Sequence, residues 1–401
     1  MGPMTGYRII DLTTVLMGPF ATQMLGEMGA DIIKVEPPQG DVTRVLGPSR
    51  SPGMGALFLN TNRYKRSICL DLKQDAARKA LLALVDTADV LVTNIRPEAL
   101  SRLGLDRDEM LARNPKLIHA ALLGFGNDGP YSGRPAYDDL IQAGCGLSSL
   151  IGQTQNDAPN YVPVALADRV VGITAVSAIC AALAARERTG IGGPVEIPML
   201  ETMTSLVMGD HMAGRTFEPE LPERAYQRLV SQHRKPYATK DGYISAIIYT
   251  DADWKKFLQA TDMVDLPQRD PRFANFTARN ADIDHVYAWL SGVFTSRTTC
   301  EWLTLLQDVG VPVAKVHDLD SLLQDEHLNA TSFFRYLDHP TEGRIRTMAP
   351  CIRWPRQELP EDMPAPLKGE HSIAVLEEIN WPQSEIDALT EMGALILAEA
   401  V

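Results

Sequence analysis

Short apolar runs alternate with stretches of helical periodicity from the start of the chain to about Phe125. Tyr7–Leu12 (YRIIDL), Asp31–Val35 (DIIKV), Ser67–Leu72 (SICLDL), Asp89–Thr93 (DVLVT) and Lys116–Leu122 (KLIHAAL) are short and rich in aliphatic residues, as buried strands are. Between them the pattern predicts one helix through Met28 and another over Asp75–Asp86. This alternation implies parallel strands joined by crossover helices, that is, an α/β fold with a Rossmann-like, doubly wound sheet. The turn after the first strand is TTVLMGPFATQML rather than G-x-G-x-x-G, which disfavours a dinucleotide cofactor.

The run Val162–Met203 places one acid, Asp168, at the mouth of a long, almost wholly apolar helix, followed by a Gly-rich turn and a short strand. The residues alone leave two roles for Asp168. Asp is a favoured N-cap, and the helix dipole favours its charge. The same two effects would keep it ionised at neutral pH, as a carboxylate nucleophile must be. The apolar stretch Val170–Ala185, bracketed by Arg169 and Arg186, is too short for a membrane span and reads as a buried helix.

The pattern then changes. Residues 1–213 are assigned to the N-terminal part of a large domain, 214–236 to a polar, Pro-containing linker, and 237–330 to a small α+β domain. Within the small domain, DGYISAIIYTDADWKKFLQA predicts a strand pair and a helix, with further helices at Asp282–Phe294 and Cys300–Gln307. Residues 331–401 supply a return strand at Gly343–Trp354, a second Pro-rich linker at Pro355–Lys368, and C-terminal helices packing on the large domain. The last helix is expected to open at Ser384 with a capping-box-like Asp387. A pocket between the two domains is the expected ligand site.

Composition narrows the function classes. With 401 residues, 45% hydrophobic and 22% charged, the chain can hold more than one domain and a sizeable core. A formal net charge of −13 argues against a nucleic-acid binder, and no basic run is longer than NRYKRS (Asn62–Ser67). An anionic ligand would therefore need local basic spots. The five cysteines are scattered without a C-x-x-C pair, so neither a disulfide framework nor a zinc site is indicated, which fits a reducing cytoplasm. The histidines show no metal-binding spacing. MGPMTGYRII carries neither a signal pattern nor a myristoylation motif.

Several ordered blocks resemble one family. GYRIIDLTTVLMGPFATQMLGEMGADIIKVEPPQGDVTR, NRYKRSICLDLK, VTNIRPEALSRLGL, GFGNDGPYSGRPAYD and VALADRVVGITAVSAICAALAARERTGIGG are similar, in this order, to class III CoA-transferases, the CaiB/BaiF family. DGYI and DPRFANFTARN resemble its small-domain pattern, so the likeness spans nearly the whole chain. It implies that Asp168 is the nucleophile of an acyl exchange. The expected course runs from a mixed anhydride to an aspartyl-CoA thioester and then to a new acyl-CoA. Coenzyme A and acyl-CoA are substrates, with no prosthetic group and no metal.

By the same resemblance, CoA contacts fall on Val15 and Leu16 after the first strand and on Leu70 and Lys73 after the third. They continue at Asn94, Ile95 and Arg96 after the fourth, at Arg102 in the next helix, and at Tyr137 and Asp138 after GRPA. Arginine forks suit CoA phosphates. The plain alternatives are surface or ion-pair roles for Arg96 and Arg102, and core packing for Leu70 and Ile95. The resemblance also implies an interlocked homodimer acting on acyl-CoA and a carboxylic acid, with no nucleic acid and no membrane.

Two departures stand out. Pro37 and Pro38 follow Glu36 where some members carry an arginine. The stretch RLVSQHRKPYATKDG lacks the glycine run of oxalate-handling members, which disfavours formyl-CoA/oxalate exchange. Racemases of the same fold are the nearest rival. They use a His–Asp pair in the GRPAYD block, where this chain has Tyr137, a poor base at neutral pH. A non-catalytic CoA-binding protein is the rival of another class. The donor and acceptor acyl groups are open; a short organic or dicarboxylic acid, with succinyl-CoA as a donor, follows family habit. Arg215, Arg224, Arg228, His233 and Arg234 are candidate partners for an acceptor carboxylate.

Overall fold

The computed structural model describes residues 1–398, in two compact units. The larger comprises Met1–Cys145, Val162–Ser205 and the chain from Ala330 onward; the smaller comprises Gly146–Tyr161 and Leu206–Asn329.

The larger unit is built on a seven-stranded sheet. Its strands are β1 (Arg8–Asp11), β2 (Asp31–Glu36), β3 (Lys65–Leu70), β4 (Val90–Thr93), β5 (Ile118–Leu123), β6 (Gly193–Pro198) and β12 (Leu395–Ile396). Their order is β12-β3-β2-β1-β4-β5-β6, all parallel except β12, which runs antiparallel to β3. Helices cover the strands, so Ile9, Ile10, Ile32, Ile33, Leu91 and Ile118 are all buried and the strands read as continuous apolar runs. The helix Asp75–Asp86 packs Ala77, Ala80, Leu81, Leu84 and Val85 inward, a period of 3.6.

The helix Leu166–Thr189 has 24 residues, longer than its apolar stretch suggested, and by length and composition alone it could cross a membrane. Within the larger unit one of its faces is buried along Val171, Ala175, Ile179 and Leu183. At Gly172 a Cβ would sit 2.9 Å from Met17 O and 3.1 Å from the Phe20 ring, so glycine permits close approach of the helix Met17–Glu27.

The C-terminal part departs from expectation. The return strand is β11 (Gly343–Met348), and it pairs antiparallel with β10 (Phe334–His339) as a separate hairpin. β12 forms the sheet edge beside β3. The last helix runs Gln383–Glu391 from Pro382, and no side-chain cap forms at Ser384. Pro382 is the N-cap, with φ −59° and ψ 133°, so Ser384 falls inside the first turn.

The smaller unit holds the antiparallel strands β7 (Tyr237–Ala238), β8 (Tyr243–Ala246) and β9 (Val313–Lys315). They pack over an aromatic core that includes Trp254, Phe257, Phe273, Phe294 and Trp302. Its helices Asp251–Ala260 and Thr299–Asp308 open with full capping boxes, Thr250 with Asp253 and Thr298 with Glu301. The stretch expected as a linker carries a short helix, Gln227–Val230, and groups with this unit.

Candidate active site

The strand order of the large sheet reverses between β1 and β4, and open α/β sheets bind ligands outside the carboxyl ends of the strands at such a point. A cleft of about 280 Å³ lies there. It is lined by Thr14–Met17 after β1, Asn94 and Arg96 after β4, Leu122–Gly124 at the end of β5, Arg134–Tyr137, Asp168 and Met199.

Its floor is held from below. Asn94 spends its whole amide on one residue: Oδ1 accepts from Thr14 N–H at 3.1 Å and Nδ2 donates to Thr14 O at 2.9 Å. Val15 follows with φ 71°, a strained value for a β-branched residue. Beneath the turn two lysines are fully buried. Lys34 Nζ donates to Thr13 O and to Asp41 Oδ2, both at 2.9 Å. Lys65 Nζ donates to Asp11 Oδ2 at 3.0 Å, to Pro19 O at 2.9 Å and to Asn62 Oδ1 at 2.9 Å. Burial opposes charge on Asp11, yet Lys65, Lys34 and the hydroxyls of Thr13 and Thr22 outweigh it and hold the carboxyl well below the usual carboxylate range. Burial dominates at Lys65 and brings its ammonium down to about 8. These charges fix the backbone from Thr13 to Pro19, which carries the cleft.

Asp168 is not the cap of its helix. The cap position is Ala165, without a side-chain cap bond, and Asp168 sits within the first turn. Its N–H is taken by Asp138 Oδ1 at 3.0 Å. Asp138 is itself held: Gln142 Nε2 donates to its Oδ2 at 2.6 Å, and Gln142 Oε1 accepts from Val162 N–H at 2.9 Å. The Asp168 carboxylate is half-buried in the cleft wall, and no hydrogen bond to its oxygens is seen among the described residues. Burial and the neighbouring Asp138 charge push its pKa up to about 6, against the opposing pull of Arg169. Desolvation and a like charge win over the helix dipole, yet a pKa of about 6 still leaves the carboxylate mostly ionised at neutral pH, as expected.

The structure brings together Val15, Leu16, Asn94, Arg96, Tyr137 and Asp168 in this one cleft, with Asp138 directly behind Asp168. Tyr137 is 68% exposed. The remaining candidates lie elsewhere. Leu70 is fully buried core, paired with Leu395 of β12. Ile95 packs against that core and lines a different cavity. Lys73 and Arg102 are exposed and do not line the cleft. Arg134 and Met199 line it without having been singled out. Arg134 stood in the GRPAYD block, and its guanidinium lies 4.3 Å from the Tyr131 ring centre. The basic run NRYKRS is spent on structure: Arg63 pairs with Glu27, Lys65 with Asp11 and Arg66 with Asp31. In the smaller unit, Arg228 and Arg234 line a pocket of about 230 Å³ with Tyr237, Tyr249 and Tyr287, while Arg224 pairs with Glu220.

The family model for CoA-transferase family III matches residues 4–372. A succinyl-CoA:glutarate CoA-transferase of Mus musculus is 30% identical over 98% of this chain and 91% of its own length. A probable fatty acyl-CoA transferase of Mycobacterium tuberculosis is 32% identical over 93% of this chain and 97% of its own. Among solved structures, a CaiB/BaiF family protein from Brucella suis superposes with a TM-score of 0.79 at 30% identity, covering 94% of this chain and 99% of that one.

Proposed function

The chain belongs to CoA-transferase family III, and from that premise we propose that it moves CoA between an acyl-CoA and a free carboxylic acid through covalent chemistry on Asp168. The observation that carries this reading is the state of Asp168. It faces the switch-point cleft, has no hydrogen bond to its oxygens among the described residues, and has its pKa pushed up to about 6. Partial desolvation makes such a carboxylate more basic and more nucleophilic, while it still ionises below neutrality.

The steps balance without ATP and without net proton transfer. An Asp168 oxygen attacks the thioester carbonyl, the C–S bond breaks, and CoA leaves as thiolate from a mixed anhydride. The thiolate then attacks the Asp168 carbonyl carbon, forming an aspartyl-CoA thioester and releasing the donor acid. The acceptor carboxylate attacks that thioester and again displaces the thiolate. The thiolate finally takes the acceptor acyl group and restores the Asp168 carboxylate. Holding the partners in place supplies much of the barrier reduction. The first turn of the Met17–Glu27 helix, whose leading N–H groups have no acceptor within the helix, can stabilise the developing oxyanions. Arg96 and Arg134 offer guanidiniums to CoA phosphates or to a second substrate carboxylate.

The acceptor class proposed is a short dicarboxylic acid with succinyl-CoA as donor, supported by the name of the mouse relative. The racemase reading loses ground because the relatives are named transferases and Tyr137 replaces a histidine. A homodimer belongs to the same proposal. The outer stripe Ile173, Ser177, Ala181 and Ala184 of the long helix is small, largely apolar and exposed, as a helix face awaiting a partner would be. The test is a chromatographic assay with succinyl-CoA and a panel of mono- and dicarboxylic acids. New dicarboxylyl-CoA formed by the wild type and not by Asp168→Asn supports the reading. Exchange that persists in Asp168→Asn, or α-deuterium uptake without exchange, contradicts it.

A further inference from the structure

A second cleft in the larger unit, of about 350 Å³, lies between the segment Pro48–Asn60 and strand β11, and shares no lining residue with the cleft at Asp168. Three arginines line it: Arg50, Arg344 and Arg346. None pairs with a carboxylate among the described residues, whereas Arg335 on the same hairpin pairs with Asp362. The arginines are also set in place. The Arg344 guanidinium lies 4.0 Å from the centre of the Tyr336 ring, and Arg346 donates to Tyr336 Oη at 2.9 Å. Arg50 donates to Glu342 O.

One carboxylate, Glu342, belongs to the lining, and its oxygens are committed to Ser51 N–H at 3.2 Å and Thr341 Oγ1 at 2.9 Å. Asp338 faces Arg344 in the hairpin register without forming an ion pair. The floor carries an unmet need: Thr347 is 3% exposed, lines the cleft, and its Oγ1 has no hydrogen-bond partner. Among the described residues strand β11 pairs only with β10, so the N–H groups of its other edge are not used by the sheet.

In a chain of net charge −13, three guanidiniums without a carboxylate partner among the described residues gather with a buried hydroxyl and a free strand edge around one concavity. A guanidinium fork matches an oxyanion, and stacking on an aromatic ring fixes its direction. We infer that this cleft binds a small oxyanion carrying at least two negative charges, phosphoryl or carboxylate, at a site separate from the Asp168 cleft.

Calorimetric titration of the full chain with inorganic pyrophosphate, and separately with citrate, tests this. The comparison sets wild type beside Arg344→Gln/Arg346→Gln and beside Arg96→Gln/Arg134→Gln, since the last pair would remove binding in the Asp168 cleft. The expected result is saturable binding that weakens roughly tenfold or more in Arg344→Gln/Arg346→Gln and persists in Arg96→Gln/Arg134→Gln. Thr347→Val is expected to weaken it less. The exposed arginines leave the melting temperature near the wild-type value, so loss of fold is told apart from loss of binding. Tighter pyrophosphate assigns phosphoryl chemistry and tighter citrate carboxylate chemistry; either supports the site. No saturable binding, or binding lost only in Arg96→Gln/Arg134→Gln, overturns it.

Discussion

Two acids of the larger unit differ in the company they keep. Asp11 is fully buried beneath the β1 turn, and Asp168 is half-buried in the cleft that this turn lines. Burial raises the pKa of both. At Asp11 the ammonium groups of Lys65 and Lys34 and two threonine hydroxyls reverse the effect and hold the carboxylate ionised. At Asp168 the neighbouring charge with the larger effect is another acid, Asp138, which outweighs Arg169, and the pKa is pushed up to about 6. The deeper group is structural, and the group whose carboxylate has no hydrogen-bond partner among the described residues is the one proposed to react.

The largest expected effect separates them by activity. Asp168→Asn should lower turnover by roughly 10³-fold or more while leaving the fold intact, checked by steady-state kinetics and circular dichroism. Asp11→Asn should act the other way. It leaves Lys65 buried without its anion and should cost about 3–5 kcal/mol of stability in urea unfolding. Equal stability losses in the two variants would erase the contrast.

The pH dependence sharpens it. A raised carboxyl pKa adds stability below the unfolded value of about 4, and this is lost as pH rises through about 6. Asp168→Asn should therefore be more stable than wild type above pH 6, by about 1–2 kcal/mol, and equal to it in acid. The same ionisation should make kcat/KM rise through about 6. Asp138→Asn removes the like charge and should move that limb down by roughly half a pH unit or more. The smallest effect is expected at Val15→Gly, which relieves a positive φ and should raise the melting free energy by up to about 1 kcal/mol.

The alternating strands were legible because both sheet faces are covered and the apolar runs are continuous. Asp168 was legible through its place at the mouth of an apolar helix and through the ordered family blocks. The lysines under the cleft were not. Lys34 sits in DIIKV and Lys65 in NRYKRS, where charge ordinarily means surface; only folding brings Asp41 and Asp11 to them. The family blocks imply a CoA contact at Leu70, but β12 arrives from more than 300 residues away and seals it into the core. The resemblance implies a CoA contact at Asn94, but its task of clamping Thr14 depends on β1 and β4 being neighbours. Of the two arginines expected to meet CoA phosphates, Arg96 lines the Asp168 cleft and Arg102 does not, because only the first residues after β4 reach the switch point.

Covalent trapping tests the central claim most directly. The wild-type protein is incubated with succinyl-CoA and hydroxylamine, digested with trypsin, and the peptide ending at Arg169 is weighed and fragmented. A hydroxamate on Asp168, dependent on the acyl-CoA and absent without it, is the expected result. An unmodified Asp168 in enzyme that is turning over, or a hydroxamate on Asp138 instead, would contradict the account.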